Sequence, residues 1–160
     1  MKMADQLHRL IVRTWQTALS ASAATTAAVA ICGQRDEGKP LAPVNAVSHI
    51  VWGDKAAKQD KASLQYTVTG VGLNAVAATS WSLVYELLFG RAARKGNTSA
   101  AVLGGAAVAG LAYVTDYYVV PKRLTPGFEK RLSLTSMLIV YSALAASLAI
   151  ASLSASHDEQ

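Results

Sequence analysis

The sequence predicts an all-α protein, an integral membrane bundle of four transmembrane helices that forms one domain over residues 1–160. Hydrophobic residues make up 52% of the chain and charged residues only 16%, against about 25% charged residues in an average soluble domain. Four apolar segments, at 10–33, 66–90, 99–121 and 132–154, are each long enough to cross a bilayer, which takes about 20 residues. Helices of soluble proteins average about 11–12 residues, so a soluble bundle is disfavoured.

The first segment, 10–33, is the most polar of the four. It follows the basic residues Lys2, Arg9 and Arg13, as a signal peptide would, but it is long and is diluted by Thr and Ser. We therefore expect a retained helix that packs against other helices rather than against lipid. The single cysteine, Cys32, lies at its end and is interpreted as a small packing residue.

The first connector, 34–65, is too long for a turn. Its apolar residues Val44, Val47, Ile50 and Val51 are close to helical spacing. This pattern predicts a short amphipathic helix over 44–58 that lies at the membrane surface. A re-entrant segment is the alternative, and its backbone would have to be buried in protein.

The second and third segments are joined by the short connector 91–98, so we expect them to be antiparallel neighbours. Gly90 is typical of a helix end, and Asn97 is a candidate N-cap for the third helix. Pro121 ends that helix. The fourth segment, 132–154, then returns the chain to the side where it began.

The net charge of +5 comes from basic residues in the connectors, where they flank the apolar segments. That placement favours contacts with lipid headgroups, and no nucleic-acid partner is expected. Basic residues are densest near the N-terminus and in the connector 91–98, which predicts that both termini are cytoplasmic.

Two acids, Glu86 and Asp116, interrupt apolar segments. An intramembrane carboxylate is a functional candidate by default. The antiparallel arrangement places these two at opposite ends, on the order of 25–30 Å apart, so they do not form a dyad. Asn74 and His49 share the end of Asp116, and we expect a polar cluster of His49, Asn74 and Asp116. A network that holds helices together is the favoured interpretation of it, and a proton- or ligand-handling site is the alternative. Glu86 stands apart as the second intramembrane acid, which reaches the interface or pairs with a basic residue.

Small residues form a face on the third helix, where they allow close helix packing. They are Gly104, Gly105, Ala109 and Gly110. No metalloprotease, phosphate-loop or serine-hydrolase motif is present, and no spacing of Cys and His is typical of a metal site. We therefore predict no catalytic residue, no metal and no cofactor.

Two stretches, 45–56 and 116–129, carry a resemblance. Asn45-Ala46-Val47-Ser48-His49 precedes Trp52-Gly53-Asp54-Lys55-Ala56, and Asp116 precedes Val120-Pro121-Lys122-Arg123-Leu124-Thr125-Pro126-Gly127-Phe128-Glu129. Together with Trp81, Tyr85 and Glu86, they resemble a family of small uncharacterised four-helix membrane proteins of proteobacteria. The resemblance implies a multi-pass protein of the bacterial inner membrane and implies no particular activity.

Three functions stay open. The leading hypothesis is a non-enzymatic accessory or assembly subunit that meets a protein partner, or further copies of itself, in the lipid bilayer. The first alternative is an oligomeric small transporter or channel that uses Asp116 and Asn74. The second alternative is a membrane enzyme that acts on a lipid-linked substrate through His49 and Asp116.

Overall fold

The computed structural model describes the backbone of residues 2–158 and the side chains of residues 3–155, and this part of the chain is helical without a β-strand. The prediction of an all-α protein is confirmed. The α-helices are α1 (Lys2–Glu37), α2 (Ala42–Val47), α3 (His49–Trp52), α4 (Thr69–Tyr85), α5 (Arg91–Ala93), α6 (Thr98–Val114) and α7 (Leu134–Asp158). Single π-helical turns lie at Leu64–Val68, Glu86–Gly90 and Thr115–Val119, and 3₁₀ turns at Ala56–Lys58, Lys122–Leu124 and Phe128–Lys130.

The four long helices run alternately up and down. We call the end that holds the Arg91–Thr98 connector the turn end, and the end that holds the two longer connectors the connector end. Near the turn end, Thr17 of α1 meets Glu86 beyond α4. Near the connector end, the thiol of Cys32 in α1 donates to the carbonyl of Ser136 in α7. The N-terminus of α1 and the C-terminus of α7 therefore lie at the turn end.

Helix α1 packs along both α4 and α7, and α6 packs along α7. By contrast, α4 and α6 are antiparallel, as expected, but contact each other mainly near the turn that joins them. There the ring of Phe89 lies against Gly104, where a Cβ atom would come within 2.5 Å of it. Farther from the turn the two helices separate and leave space between them.

Glycine sets the spacing of α6 and α7. Gly105 faces the carbonyl of Ala145 so closely that a Cβ atom at position 105 would overlap it. Ala109, one turn on, is also buried. Gly110 differs, because it is exposed and a Cβ atom there would meet nothing within 4 Å. Gly104, Gly105 and Ala109 thus face the interior of the bundle, whereas Gly110 lies on the outward side of α6.

The prediction of one surface helix over 44–58 is wrong. The chain makes two short helices, α2 and α3, and every residue of α2 is buried. The backbone of Val44 lies against Gly70 of α4. Asn45 makes this burial possible, because its amide donates to the carbonyls of Gln59 and Lys61, at 2.9 and 3.0 Å, and its Oδ1 accepts from Thr67 at 2.6 Å. The connector therefore folds over the end of the bundle.

Ion pairs tie the two long connectors together. Asp60 binds Lys39 at 2.6 Å and Arg131, from the second connector, at 2.8 Å. The hydrogen bonds from these two cations hold the pKa of the Asp60 carboxyl below its usual value. Lys130 likewise binds Asp54 at 2.8 Å. Such exposed pairs add little stability, but they fix where the second connector meets the first.

Two of the helical segments are long and apolar enough to cross a membrane, Thr98–Val119 and Leu134–Ala155. Among the described residues, the segments that contain α1 and α4 do not pass the same test, so the prediction of four transmembrane helices is not confirmed.

Replacing Gly105 with Ala is expected to destabilise the fold by about 1–3 kcal/mol, the usual range for overpacking, because the new methyl group would overlap the Ala145 carbonyl. Gly110→Ala is the matched control and should leave stability unchanged or raise it. The measurement is unfolding of the detergent-solubilised protein followed by circular dichroism. Equal effects of the two variants would contradict the packing described for α6 and α7.

Candidate functional site

The three residues of the expected polar cluster lie at the same end of the bundle but divide between two cavities. Asn74 and Asp116 line the helix cavity, which has a volume of about 240 Å³ and lies between the four long helices and residues of the two long connectors. His49 lines the connector cavity, of about 730 Å³, between the two long connectors. The helix cavity is lined by Leu73, Asn74, Trp81, Asp116, Phe128 and Tyr141, among others. The connector cavity is lined by His49, Asp54, Tyr117, Lys122, Arg123 and Lys130, among others.

Asn74 joins α4 to α1. Its side-chain amide donates to the hydroxyls of Thr25 and Thr26, both at 2.9 Å, and to the carbonyl of Ser22 at 3.3 Å. Hydrogen bonds of this kind between helices are a common means of association inside a membrane. For Asn74, the arrangement matches the interpretation of a polar network that holds helices together.

Asp116 lies in the π-helical turn that continues α6, and it faces α7. The hydroxyl of Tyr141 donates to its Oδ2 at 2.6 Å. The ring of Tyr141 packs in turn against Tyr113, with ring centroids 5.3 Å apart, and against Phe128, at 6.3 Å. Within residues 3–155, no Lys, Arg or His side chain forms an ion pair with Asp116.

His49 is buried beside the backbone of both connectors. Its Nδ1 lies 3.0 Å from the carbonyl of Ala46, and since a carbonyl only accepts, Nδ1 carries the proton. The ring packs against Gly127, which has a φ of +93° and no room for a Cβ atom. Its Nε2 is buried without a hydrogen-bond partner in the described part of the chain. His49 thus makes no direct contact with Asp116 among these hydrogen bonds, and the two line different cavities.

Glu86 forms a buried ion pair at the turn end. Arg94 donates from Nη2 to Oε1 of Glu86 at 2.8 Å and from Nε to Oε2 at 3.2 Å. The two side chains are only 3% and 1% exposed. The hydroxyl of Thr17 completes the group by donating to Oε1 at 2.6 Å. Gly90 leaves room for the carboxylate, because a Cβ atom there would overlap it.

Sequence reasoning anticipated that Glu86 could pair with a basic residue but did not single out Arg94 or Thr17. In a regular helix the residues that face Glu86 one turn later, at i+3 and i+4, are Phe89 and Gly90, and neither is basic. The π-helical turn and the short α5 instead place the side chain of Arg94 on the same side as Glu86. Tyr141 was also missed as the partner of Asp116, although a tyrosine within the apolar fourth segment was a signal that could have been used.

The two acids, Glu86 and Asp116, therefore differ in how completely their carboxylates are paired. Glu86 has a bidentate cation and a hydroxyl donor, whereas Asp116 has one hydroxyl donor and faces a mainly apolar cavity. Within the described residues, no group of three or more His, Cys, Asp or Glu side chains is arranged to hold a metal ion. The helix cavity, which combines apolar walls with a few convergent polar groups, has the form of a small-molecule binding site.

No protein-family model, no curated protein and no solved structure matches this chain. The resemblance to four-helix membrane proteins of proteobacteria accordingly stays a prediction, and functional inference rests on the geometry of the molecule.

Replacing Glu86 with Gln is expected to destabilise the protein by about 3–5 kcal/mol, the usual effect of leaving one buried charge without its partner. The double variant Glu86→Gln/Arg94→Met removes both charges and should lose less than either single variant. Asp54→Asn, which breaks an exposed pair with Lys130, is the control and should change little. The measurement is again unfolding in detergent, and additive losses in the double variant would contradict a coupled pair.

Proposed function

We propose that this chain is a four-span protein of the bacterial inner membrane that performs no chemistry of its own and acts as an accessory or assembly subunit. The proposal has two parts, which are that all four long helices cross the bilayer and that an outward face of α6 meets another transmembrane helix. Each part is supported by a separate set of side chains.

Side-chain direction supports α1 as a span. Between Arg13 and Arg35 it carries 21 residues, 14–34, without a charge, and at 1.5 Å per residue these cover about 31 Å, close to the thickness of a hydrocarbon core. Three of its threonines face inward and are buried, Thr14, Thr17 and Thr25. The exposed residues include Trp15, Leu19 and Ile31. Its two exposed glutamines, Gln16 and Gln34, lie near the two ends of this stretch, and between them every exposed residue is apolar.

The segment that contains α4 follows the same pattern. Its large exposed residues are Val68, Val71, Val76, Leu83, Leu87 and Leu88. The exposed hydroxyl of Ser80 donates to the carbonyl of Val76 within its own helix, at 3.0 Å. Its acid, Glu86, is paired and buried. An outer surface of this kind suits lipid, because every backbone and side-chain polar group at that depth needs a partner inside the protein.

Cysteine labelling from one side of the membrane tests the four spans. After Cys32 is replaced by Ala, single cysteines are placed at the exposed positions Lys58, Lys95 and Lys122. If α1 and α4 cross the bilayer, a membrane-impermeant thiol reagent labels positions 58 and 122 from the same side and position 95 from the other. If only the third and fourth segments cross, position 58 labels together with position 95. Cytoplasmic termini further require that position 95 labels from the cytoplasmic side.

The accessory role is carried by the outward face of α6. Gly104 and Gly105 are used inside the bundle, whereas Ala106, Ala107 and Gly110 are exposed. Ala106 and Gly110 are four residues apart and so lie one above the other on that face, the small-xxx-small arrangement that lets two transmembrane helices approach closely. This surface fits a transmembrane helix of a partner protein or of a second copy of the chain.

Gly110→Leu is expected to disrupt that association without unfolding the protein, because the new side chain points away from the bundle. Ala146→Leu, an exposed position on α7, is the matched control and should preserve it. The measurement is recovery of a stoichiometric complex or homo-oligomer after extraction from native membranes in mild detergent. A native protein that is strictly monomeric and recovers no stoichiometric partner would contradict the proposal.

The transporter or channel hypothesis keeps one specific observation in its favour. Asn74 and Asp116 line the same cavity, at the depth where α4 and α6 separate. A path across the membrane would still need several copies of so small a chain. The enzyme hypothesis gains no comparable support, since His49 and Asp116 line different cavities.

A further inference from the structure

We infer that the helix cavity binds a small organic cation with an apolar body, whose cationic group pairs with Asp116. This ligand site goes beyond the accessory role and does not depend on it. The inference rests on the charge, the wall chemistry and the position of the cavity.

The helix cavity contains a carboxylate without a cationic partner. Asp116 is the only acidic or basic side chain among those that line it, with no Lys, Arg or His beside it. Tyr141 binds Oδ2 at 2.6 Å, and Oδ1 has no hydrogen-bond donor among residues 3–155. An acid within an apolar segment normally pairs with a cation, and this same bundle does so at Glu86, where Arg94 supplies both contacts. Within residues 3–155 no such cation reaches Asp116, so a ligand is the group that can supply it.

The aromatic and aliphatic side chains that line the cavity indicate what the remainder of the ligand is like. Trp81, Phe128 and Tyr141 place three aromatic rings around the cavity, and aliphatic residues such as Leu73, Val140 and Leu144 form most of the remainder. Aromatic faces attract ammonium groups through cation–π interactions, and the attraction is larger where water is excluded. Aliphatic walls favour an apolar body. The combination of one carboxylate with aromatic rings is complementary to an alkyl- or arylammonium ion.

Other ligand classes fit less well. An anion would find no basic side chain in the cavity and would be repelled by Asp116. A divalent metal ion needs several oxygen ligands, and only one carboxylate is present. A neutral apolar molecule would leave Oδ1 of Asp116 desolvated and unpaired. At about 240 Å³, the cavity lies just below the range of about 300–1,000 Å³ typical of drug-sized ligands, so the cation is compact.

The position of the cavity offers a route of entry. It lies where α4 and α6 separate, and its lining includes residues of α4 that are exposed on the outside of the bundle, Val76 and Ala77. Asp116 is five residues before Pro121, near the connector end of the third segment. An amphiphilic cation accumulates at this depth of a bilayer, with its charge near the headgroups and its body among the chains.

The experiment uses Trp81 as the reporter. The chain has three tryptophans, and Trp15 and Trp52 do not line the helix cavity, so Trp15→Phe/Trp52→Phe leaves a single fluorophore there. The full-length protein in detergent is titrated with benzyltrimethylammonium and, separately, with neopentylbenzene, in which a carbon atom replaces the charged nitrogen. We expect saturable change of Trp81 emission by the cation and at least tenfold weaker binding of the neutral isostere.

Three further substitutions in that background locate the site. Asp116→Asn should weaken binding of the cation at least tenfold and leave binding of neopentylbenzene within threefold. Glu129→Gln, an acid nearby that does not line the cavity, is the charge-matched control and should change both affinities less than threefold. Ala77→Phe should fill the cavity from its exposed side and abolish binding of both molecules, with thermal unfolding confirming that each variant is folded.

Several results would contradict the binding of a cation at Asp116. Equal affinity for the cation and its neutral isostere, or the absence of saturable binding of the cation, would overturn the inference, and neither comparison requires Asp116→Asn to fold. Unchanged binding of the cation in Asp116→Asn or in Ala77→Phe would place it elsewhere. Equal losses in Asp116→Asn and Glu129→Gln would reduce the effect to general surface charge and would overturn the proposed pairing.

Discussion

A polar side chain buried between apolar helices needs a hydrogen-bond partner within the protein, and this constraint organises the molecule. Threonines of α1 turn inward, Asn74 binds α1, and Glu86 is enclosed by Arg94 and Thr17. The hydroxyl of the exposed Ser80 donates to a backbone carbonyl of its own helix. These hydrogen bonds leave the outer surface of the bundle mainly apolar. They also determine which helices contact one another. Helix α1 packs closely along α4 and α7, and α6 along α7, because polar contacts and small residues lie between these pairs.

Much of this could be predicted from sequence because it depends on length and composition. The four helices, their order and the short turn before Asn97 follow from apolar segments and helix-ending residues, and Asn97 does accept from the backbone of Ala100. The buried first connector could not be predicted. Apolar residues at helical spacing mark a buried helix as well as a surface one, and the difference depended on Asn45, whose partners Gln59, Lys61 and Thr67 are 14–22 residues away.

The candidate site was predicted in part, for a comparable reason. Helix order was enough to place His49, Asn74 and Asp116 at one end. It did not determine the direction of each side chain around its helix, so Asn74 faces α1, Asp116 faces Tyr141 and His49 faces the connectors. The pairing of Glu86 with Arg94 depended on a π-helical turn, whose position no periodic pattern of apolar residues reveals.

Both Glu86 and Asp116 lie in such π-helical turns, Glu86 at the start of one and Asp116 at the second position of another. A π-helical turn holds more residues than an α-helical turn, so it shifts the angular position of everything that follows it. Loss of a single residue from either turn would therefore rotate the adjoining segment by roughly 100° while leaving composition and hydrophobicity almost unaltered. The gain or loss of a single residue would therefore turn a carboxyl group to a different side of its helix, which a substitution at the same position does not do.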